Sequence, residues 1–180
     1  MNENVKFKDR TPESAGFRSF LKSKTILLIS FLLLSCLLWF YANQLVVSII
    51  PDDGQKRISF ATKIGDEWYI EFTHSVQKTP VQEYFIVRGV DDLLMKETRY
   101  QSLGVGLPFL PSDGKLQTTK DGHFILEMNR GFKTVKVRTG LEACPKIYHS
   151  GILFPIYELY EPGTLLEIKV EKRYKSWLLN

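Results

Sequence analysis

The side chains with the widest chemical repertoire lie in one short segment, His74-Ser75-Val76-Gln77-Lys78-Thr79-Pro80-Val81-Gln82-Glu83. It concentrates titratable and hydroxyl groups between two apolar stretches. An imidazole held by a carboxylate is oriented and made more basic, which suits both general-base chemistry and metal ligation. If the flanking stretches pair as antiparallel strands, His74 and Glu83 come close across the ladder at its loop end. Ser75 beside His74 suggests a nucleophile with its base. Adjacent strand residues point to opposite faces, however, so that pair diverges. Thr79 precedes Pro80 and is driven toward extended backbone, which fits a loop closing a hairpin. Three readings stay open. One is a recognition site using His74, Ser75, Lys78, Thr79, Pro80 and Glu83. Another is a hydrolase using His74 and Glu83. The third is a structural role in which His74 closes an apolar strand face and is fixed by Glu83.

A second segment, Ser102-Leu103-Gly104-Val105-Gly106-Leu107-Pro108, places glycines at i and i+2 before a proline. Gly104 and Gly106 allow a tight turn or a close backbone approach to a ligand. The run is not a dinucleotide fingerprint, since it lacks a third glycine and a following helix. It either presents backbone N–H groups to an anion or forms a bulge or kinked crossover. Metal ligation has little support. His74, His123 and His149 are scattered, and neither a His-x-His nor a Cys pair occurs. No cofactor site is expected. Of the two cysteines, Cys36 sits in an apolar run and Cys144 far from it, so no internal disulfide is expected. Cys144 reads as a small buried hydrophobe.

The elements that must carry these residues read as strands. Trp68, Ile70 and Phe72 alternate with Tyr69, Glu71 and Thr73, the period-two pattern of a half-buried strand. Arg57 to Ile64 reads as its hairpin partner across a Gly65-Asp66 turn. Gln82 to Arg88 is apolar on both parities and reads as central, joined to Leu93–Tyr100 by a Gly89–Asp92 turn. Asp121-Gly122 marks a hairpin between Leu116–Thr119 and His123–Met128, and Asn129-Arg130-Gly131 is expected to turn that strand back onto Thr134–Arg138. His149-Ser150-Gly151 reads as loop. A last strand, Leu166–Val170, follows Glu161-Pro162-Gly163. No stretch beyond the N-terminal run shows helical periodicity over three turns. The fold class is therefore all-β, an antiparallel sandwich or small barrel.

From Thr25 to Ile50 the chain has twenty-six residues without a charge. As a helix they would span about 39 Å, against a hydrocarbon core of about 30 Å. We read residues 25–50 as a transmembrane segment, with Leu45–Ile50 either interfacial or already part of the domain. Residues 1–24 form a tail of charge +3, with six basic residues against three acidic ones. Positive charge stays inside, so the tail is expected in the cytoplasm and the domain of residues 51–180 outside it, in a single-pass membrane protein. Trp39 and Tyr41 then sit toward the outer interface. Three alternatives compete. Tyr41-Ala42-Asn43 is a poor signal-peptidase site. Leu33-Leu34-Ser35-Cys36 has the residue types of a lipidation site at Cys36, although the chain after it stays strongly apolar. A buried soluble helix is the third.

The domain holds eighteen basic and seventeen acidic residues, so most of the overall +4 belongs to the tail. That distribution argues against a nucleic-acid partner. The tail instead suits anionic lipid headgroups.

The His74–Glu83 run, followed by Glu97-Thr98-Arg99-Tyr100-Gln101-Ser102-Leu103-Gly104-Val105-Gly106-Leu107-Pro108, resembles the bacterial and archaeal family known as domain of unknown function 1850. That family shows a His-Ser-x-x-x-Thr-Pro-Val-x-Glu run, then Glu-Thr and Ser-Phe-Gly-Ala-Gly-Leu-Pro. Leu103 and Val105 replace the usual Phe and Ala. Pro162 to Ile168 is similar to the family's last strand, so the resemblance covers roughly residues 68–170. It implies a small protein, often membrane-anchored, frequently encoded beside the TAXI type of TRAP transporter, which imports organic anions. It carries over His74, Ser75, Thr79, Pro80, Glu83, Gly104 and Gly106 as motif positions, without a catalytic role. The expectation is an anchored extracytoplasmic binding or accessory module of a TRAP-type uptake system. An envelope hydrolase and a purely structural envelope protein are the alternatives.

Overall fold

The computed structural model describes residues 13–103, 106–110 and 112–178. It falls into an N-terminal helical unit and a compact domain that begins at Ala42. The helix, α1, runs from Glu13 to Ala42. Its Ser23–Ala42 portion has a mean hydropathy of 2.3 and no side chain buried against protein. At about 1.5 Å per residue that portion matches the thickness of a bilayer core, so it is long and apolar enough to cross a membrane.

The uncharged run divides at this point. Leu45–Pro51 is a strand, β1, so of the two readings of Leu45–Ile50 the domain is the one found. Before Tyr41 the run is rich in Leu and Phe; after Gln44 it turns to Val46, Val47, Ile49 and Ile50, whose branched Cβ favours the pleated strand. Val46, Val47, Ser48 and Ile49 are all buried within protein, which accounts for the lack of charge there.

β1 pairs with β2 (Ile58–Thr62) and with β11 (Leu165–Lys172), which pairs in turn with β8 (Val135–Arg138). These make a four-stranded antiparallel sheet, in the order β2-β1-β11-β8. The second sheet has seven strands. They are β3 (Glu67–Thr73), β4 (Pro80–Gly89), β5 (Asp92–Tyr100), β6 (Lys115–Thr118), β7 (Phe124–Phe132), β9 (Lys146–His149) and β10 (Ile152–Phe154). Their order is β10-β9-β3-β4-β5-β7-β6, which puts β4 in the middle, as its two-sided apolarity predicts. Two short helices complete the domain, α2 (Ile156–Leu159) and α3 (Arg173–Leu178).

The all-β, two-sheet class read from the sequence is the one observed, while several connections differ. β2 and β3 are not a hairpin; the Gly65-Asp66 turn passes the chain from one sheet to the other. Asn129-Arg130-Gly131 is not a turn. β7 runs straight through it, with Arg130 opposite Met95 and Gly131 opposite Leu94, and β8 crosses to the other sheet. His149 belongs to β9, and Ser150 and Gly151, both at positive φ, turn the chain into β10. The Asp121-Gly122 hairpin forms as expected between β6 and β7.

The main core lies between the sheets. Val47, Ile49, Phe60, Leu166, Ile168 and Val170 from the four-stranded sheet meet Trp68, Ile70, Phe85, Val87, Leu93 and Ile147 from the other. Trp68 and Phe85 are cross-strand partners whose rings stack at 4.7 Å. On the outer face of the wide sheet Tyr148, Tyr69 and Tyr84 stack in turn at 4.6 and 4.7 Å, and the Arg99 guanidinium lies 4.4 Å over Tyr84. A smaller cluster, Val81, Tyr100, Leu107 and Leu126, contains no residue of the four-stranded sheet. Leu107, from the β5–β6 connection, covers the wide sheet there instead.

Ile168 is fully buried in the main core, whereas Ile64 is 68% exposed in the inter-sheet turn. Ile168→Ala is expected to cost about 2–5 kcal/mol, and Ile64→Ala less than about 0.5 kcal/mol. Chemical unfolding of the two variants beside the parent protein checks the contrast.

Candidate functional site: a carboxyl-bearing cavity

Residues of alternate parity along β4 face the sheet interior, namely Val81, Glu83, Phe85 and Val87. Three of the four are apolar and fully buried; Glu83 is the exception. Its cross-strand neighbours are Ile70 on β3 and Thr98 on β5, and directly opposed residues share a face with Cβ atoms about 5 Å apart. Thr98 is 0% exposed, and among the described residues its Oγ1 has no hydrogen-bond partner. Among the described residues no hydrogen bond or ion pair reaches the Glu83 carboxyl, and burial alone pushes its pKa above the ordinary 4.5. Desolvation penalises the charged form of any acid that lacks a compensating partner.

Glu83 opens onto a cavity of about 1040 Å³, at the upper end of the range for small-molecule sites. Phe85 and Met95 line it from β4 and β5, Met128, Arg130 and Phe132 from β7, and Val135 and Lys136 from β8. Gly106, Leu107, Pro108 and Asp113 close it from the β5–β6 connection. Gly106 has φ +91°, a left-handed conformation that favours glycine. The Tyr100 hydroxyl donates to the Pro108 carbonyl at 2.9 Å and ties the connection to β5. Apolar side chains share the lining with polar ones, Ser112, Asn129 and Thr134 among them, and its charged groups are Glu83, Asp113, Arg130 and Lys136. Asp113 accepts from the Leu110 N–H at 3.0 Å, Lys136 pairs with Glu167 at 2.9 Å, and the Arg130 guanidinium lies 5.4 Å over Phe132.

The first half of the His74–Glu83 segment does different work. The ladder between β3 and β4 ends at the pair Thr73–Pro80. Beyond it the His74 N–H donates to the Thr79 carbonyl at 2.8 Å, and the Lys78 N–H to the His74 carbonyl at 2.9 Å. His74 is 7% exposed, and its Nδ1 accepts from the Val76 and Gln77 N–H groups at 3.3 and 3.2 Å. The imidazole therefore organises the turn. Ser75 is exposed, Pro80 opens β4, and Lys78, at positive φ, pairs with Glu142 on the surface at 3.2 Å. The Ser102 hydroxyl donates to the Gln77 side-chain oxygen, so the turn and the glycine-bearing segment are neighbours.

These positions correct one expectation. Glu83 stands opposite Ile70, not His74, and about 13 Å of strand separates Ile70 from His74. The His74–Glu83 pair proposed for hydrolysis, or for fixing the imidazole, is not formed. Of the sequence-derived site residues, Glu83 and Gly106 share the cavity. His74, Ser75, Lys78, Thr79 and Pro80 build the adjoining turn, and Gly104 lies outside the described residues. Cys36 is exposed on α1, and the Cys144 thiol, only half-buried, donates to the Leu141 carbonyl at 2.9 Å.

The sequence reading overlooked Thr98 and Arg130. In β5 the ladder slips between Met95 and Glu97. Such a bulge reverses which parity faces inward, so Leu93 and Met95 are followed on the inner face by Thr98 and Tyr100. Simple alternation from Met95 would send Thr98 outward. The turn composition of Asn129-Arg130-Gly131 conceals the place of Arg130 on β7.

A family model described as Domain of unknown function (DUF1850) matches residues 69–156, a range that contains both the His74 turn and Glu83. Neither a curated protein nor a solved structure matches the chain.

The raised pKa of Glu83 fixes the sign of its effect on stability. The folded state holds this proton more tightly than the unfolded chain does. Its contribution is therefore complete below the ordinary 4.5 and is lost as pH rises through the folded value. Glu83→Gln removes that loss. The variant is expected to be more stable than the parent at neutral and alkaline pH, with the difference shrinking as pH falls through the ordinary 4.5. Thermal unfolding across pH measures it; a variant less stable at high pH than at low pH relative to the parent would contradict the assignment.

Proposed function

The chain belongs to the DUF1850 family, and from that premise we propose that it is a membrane-anchored binding module, its ligand site the Glu83 cavity. One observation carries this reading: on the lining of a cavity of ligand size with mixed polar and apolar walls stands a partly buried carboxyl that no hydrogen bond or ion pair reaches among the described residues. Groups so placed cost stability, and perturbed acids concentrate at functional sites. The occupant that best satisfies such a group is a small organic molecule with a protonated amine. An ammonium group brings several donors and no acceptor, which suits the two oxygens of the Glu83 carboxylate. Its apolar body would rest on Phe85, Met95 and Met128. Arg130 and Lys136 leave room for an acidic group at the opposite end.

In this reading Ser23–Ala42 is the anchor. The basic tail lies in the cytoplasm and the domain outside it, following the charge rule. The domain then serves as accessory to a membrane transport system of the TRAP type, the company that the family resemblance implies.

Matched probes test the site. The full-length protein in lipid nanodiscs is titrated with 2-phenylethylammonium and with 3-phenylpropionate, followed by saturation-transfer NMR against empty nanodiscs. The ammonium is expected to bind at least about ten-fold more tightly, since a charge-assisted hydrogen bond contributes about 1.5–3 kcal/mol. Glu83→Gln removes the preference, and lowering the pH weakens binding because the proton on Glu83 competes. Binding of neither probe would sink the ligand-site reading. The accessory role is separate: it fails if mild-detergent purification of the intact protein recovers no transporter subunit.

A further inference from the structure

The last strand and the helix after it carry a surface that the cavity does not use. α3, Arg173–Leu178, packs on β1 and β11. Ser176 faces the sheet, 5% exposed, and its hydroxyl donates to the Arg173 carbonyl at 2.7 Å. Tyr174, Trp177 and Leu178 are 38%, 52% and 77% exposed. Spacings of three and four put them on one helix face, turned away from the sheet. Lys172, Arg173 and Lys175 surround that face, and no acidic residue follows Glu171 in the chain. An apolar aromatic face with three cations beside it in the chain is unusual on a soluble surface. It is the composition of a segment that lies at the headgroup level of a bilayer, where Trp and Tyr rings are favoured and Lys and Arg meet anionic lipid.

The position of this face follows from two hydrogen bonds. The Arg173 N–H donates to the Gln44 carbonyl at 2.9 Å, and Lys172 Nζ donates to the Asn43 carbonyl at 2.9 Å. Asn43 and Gln44 directly follow Ala42, the last residue of α1. Consecutive Cα atoms are about 3.8 Å apart, so the start of α3 is held within a short chain length of the point where the apolar helix ends. That restraint holds whichever way the domain turns about the junction.

We propose that α3 is a second membrane contact. Tyr174, Trp177 and Leu178 insert at the surface of the bilayer that α1 enters, and Lys172, Arg173 and Lys175 bind anionic headgroups beside them. The inference rests on Ser23–Ala42 as the anchor and is independent of what the cavity binds. It makes the domain a body fastened to the membrane at two neighbouring points, not one swinging on a single tether.

The test is spin labelling of the full-length protein with Cys36 and Cys144 replaced by Ser. Single nitroxides are placed at Leu178→Cys and, as reference for the anchor, at Leu33→Cys. Both are reconstituted in vesicles of phosphatidylcholine with phosphatidylglycerol. The Leu178 label is expected to collide more with dissolved oxygen than with a water-soluble nickel chelate. Adding Trp177→Asp and Lys175→Glu should restore nickel collisions at that site. A Leu178 label as accessible to nickel as a fully aqueous nitroxide, while the Leu33 label is protected, would overturn the α3 contact and leave the anchor standing. If the Leu33 label is aqueous too, the anchor and the inference fall together. Equal protection in pure phosphatidylcholine would overturn the part assigned to Lys172, Arg173 and Lys175.

Discussion

The two sheets are unequal, and much of the molecule's character follows from that mismatch. Four strands face seven. Where they overlap, apolar side chains from both sides close a continuous core around Trp68, Phe85, Leu166 and Ile168. Toward the His74 turn the narrow sheet contributes nothing, and the inner face of β4, β5 and β7 is left to the β5–β6 connection to cover. Among the described residues of that connection, Leu107 packs into the smaller cluster and Pro108 accepts from the Tyr100 hydroxyl. The cavity occupies the seam between the sheet-on-sheet core and this loop-on-sheet cluster, and Glu83 is the residue of β4 that faces the seam.

A carboxyl at that position stands against the packing around it. Val81, Phe85, Ile70 and Thr98 are buried on every side of it, and nothing among the described residues neutralises it. A leucine there would join the two hydrophobic clusters into one and would stabilise the fold. An acid that is unpaired among the described residues, set between buried neighbours, is what separates this cavity from a packing defect. The buried Glu171 shows the contrast. Fully buried, it accepts from the Ser48 hydroxyl at 2.7 Å and lies 3.7 Å from Lys169 Nζ. It is an acid placed and satisfied by structure. Glu83 is placed and left unsatisfied.

The sequence carried the class of the fold plainly, because alternation such as Trp68-Ile70-Phe72 and turn signals such as Asp121-Gly122 are local. It carried much less of how strands are shared between sheets. Gly65-Asp66 bends the chain whether the next strand returns beside the last or crosses to the opposite layer, and only packing decides. Asn129-Arg130-Gly131 has turn composition, yet the pairing of β7 with β5 extends it. The motif His74–Glu83 was legible as special and misread in its parts. Its histidine, open to a recognition, hydrolytic or structural reading, serves the turn, with Nδ1 receiving two backbone N–H groups. Its glutamate looked like the histidine's partner and instead faces the cavity. Thr98 was hidden by a bulge that alternation cannot reveal. At the N-terminus, lack of charge joined two unlike segments, a lipid-type helix and a protein-buried strand, whose difference lies in the change from Leu and Phe to Val and Ile.

Glu83 is partly buried, stands on the cavity lining and is unpaired among the described residues. The most direct test is the titration of the Glu83 side-chain carboxyl by carbon-13 NMR in the full-length protein, with Glu83→Gln to assign the resonance. The predicted result is a midpoint clearly above the ordinary 4.5, which falls when an ammonium ligand occupies the cavity. A midpoint at or below the ordinary value in the free protein would mean that Glu83 is solvated or paired, and would contradict the central claim.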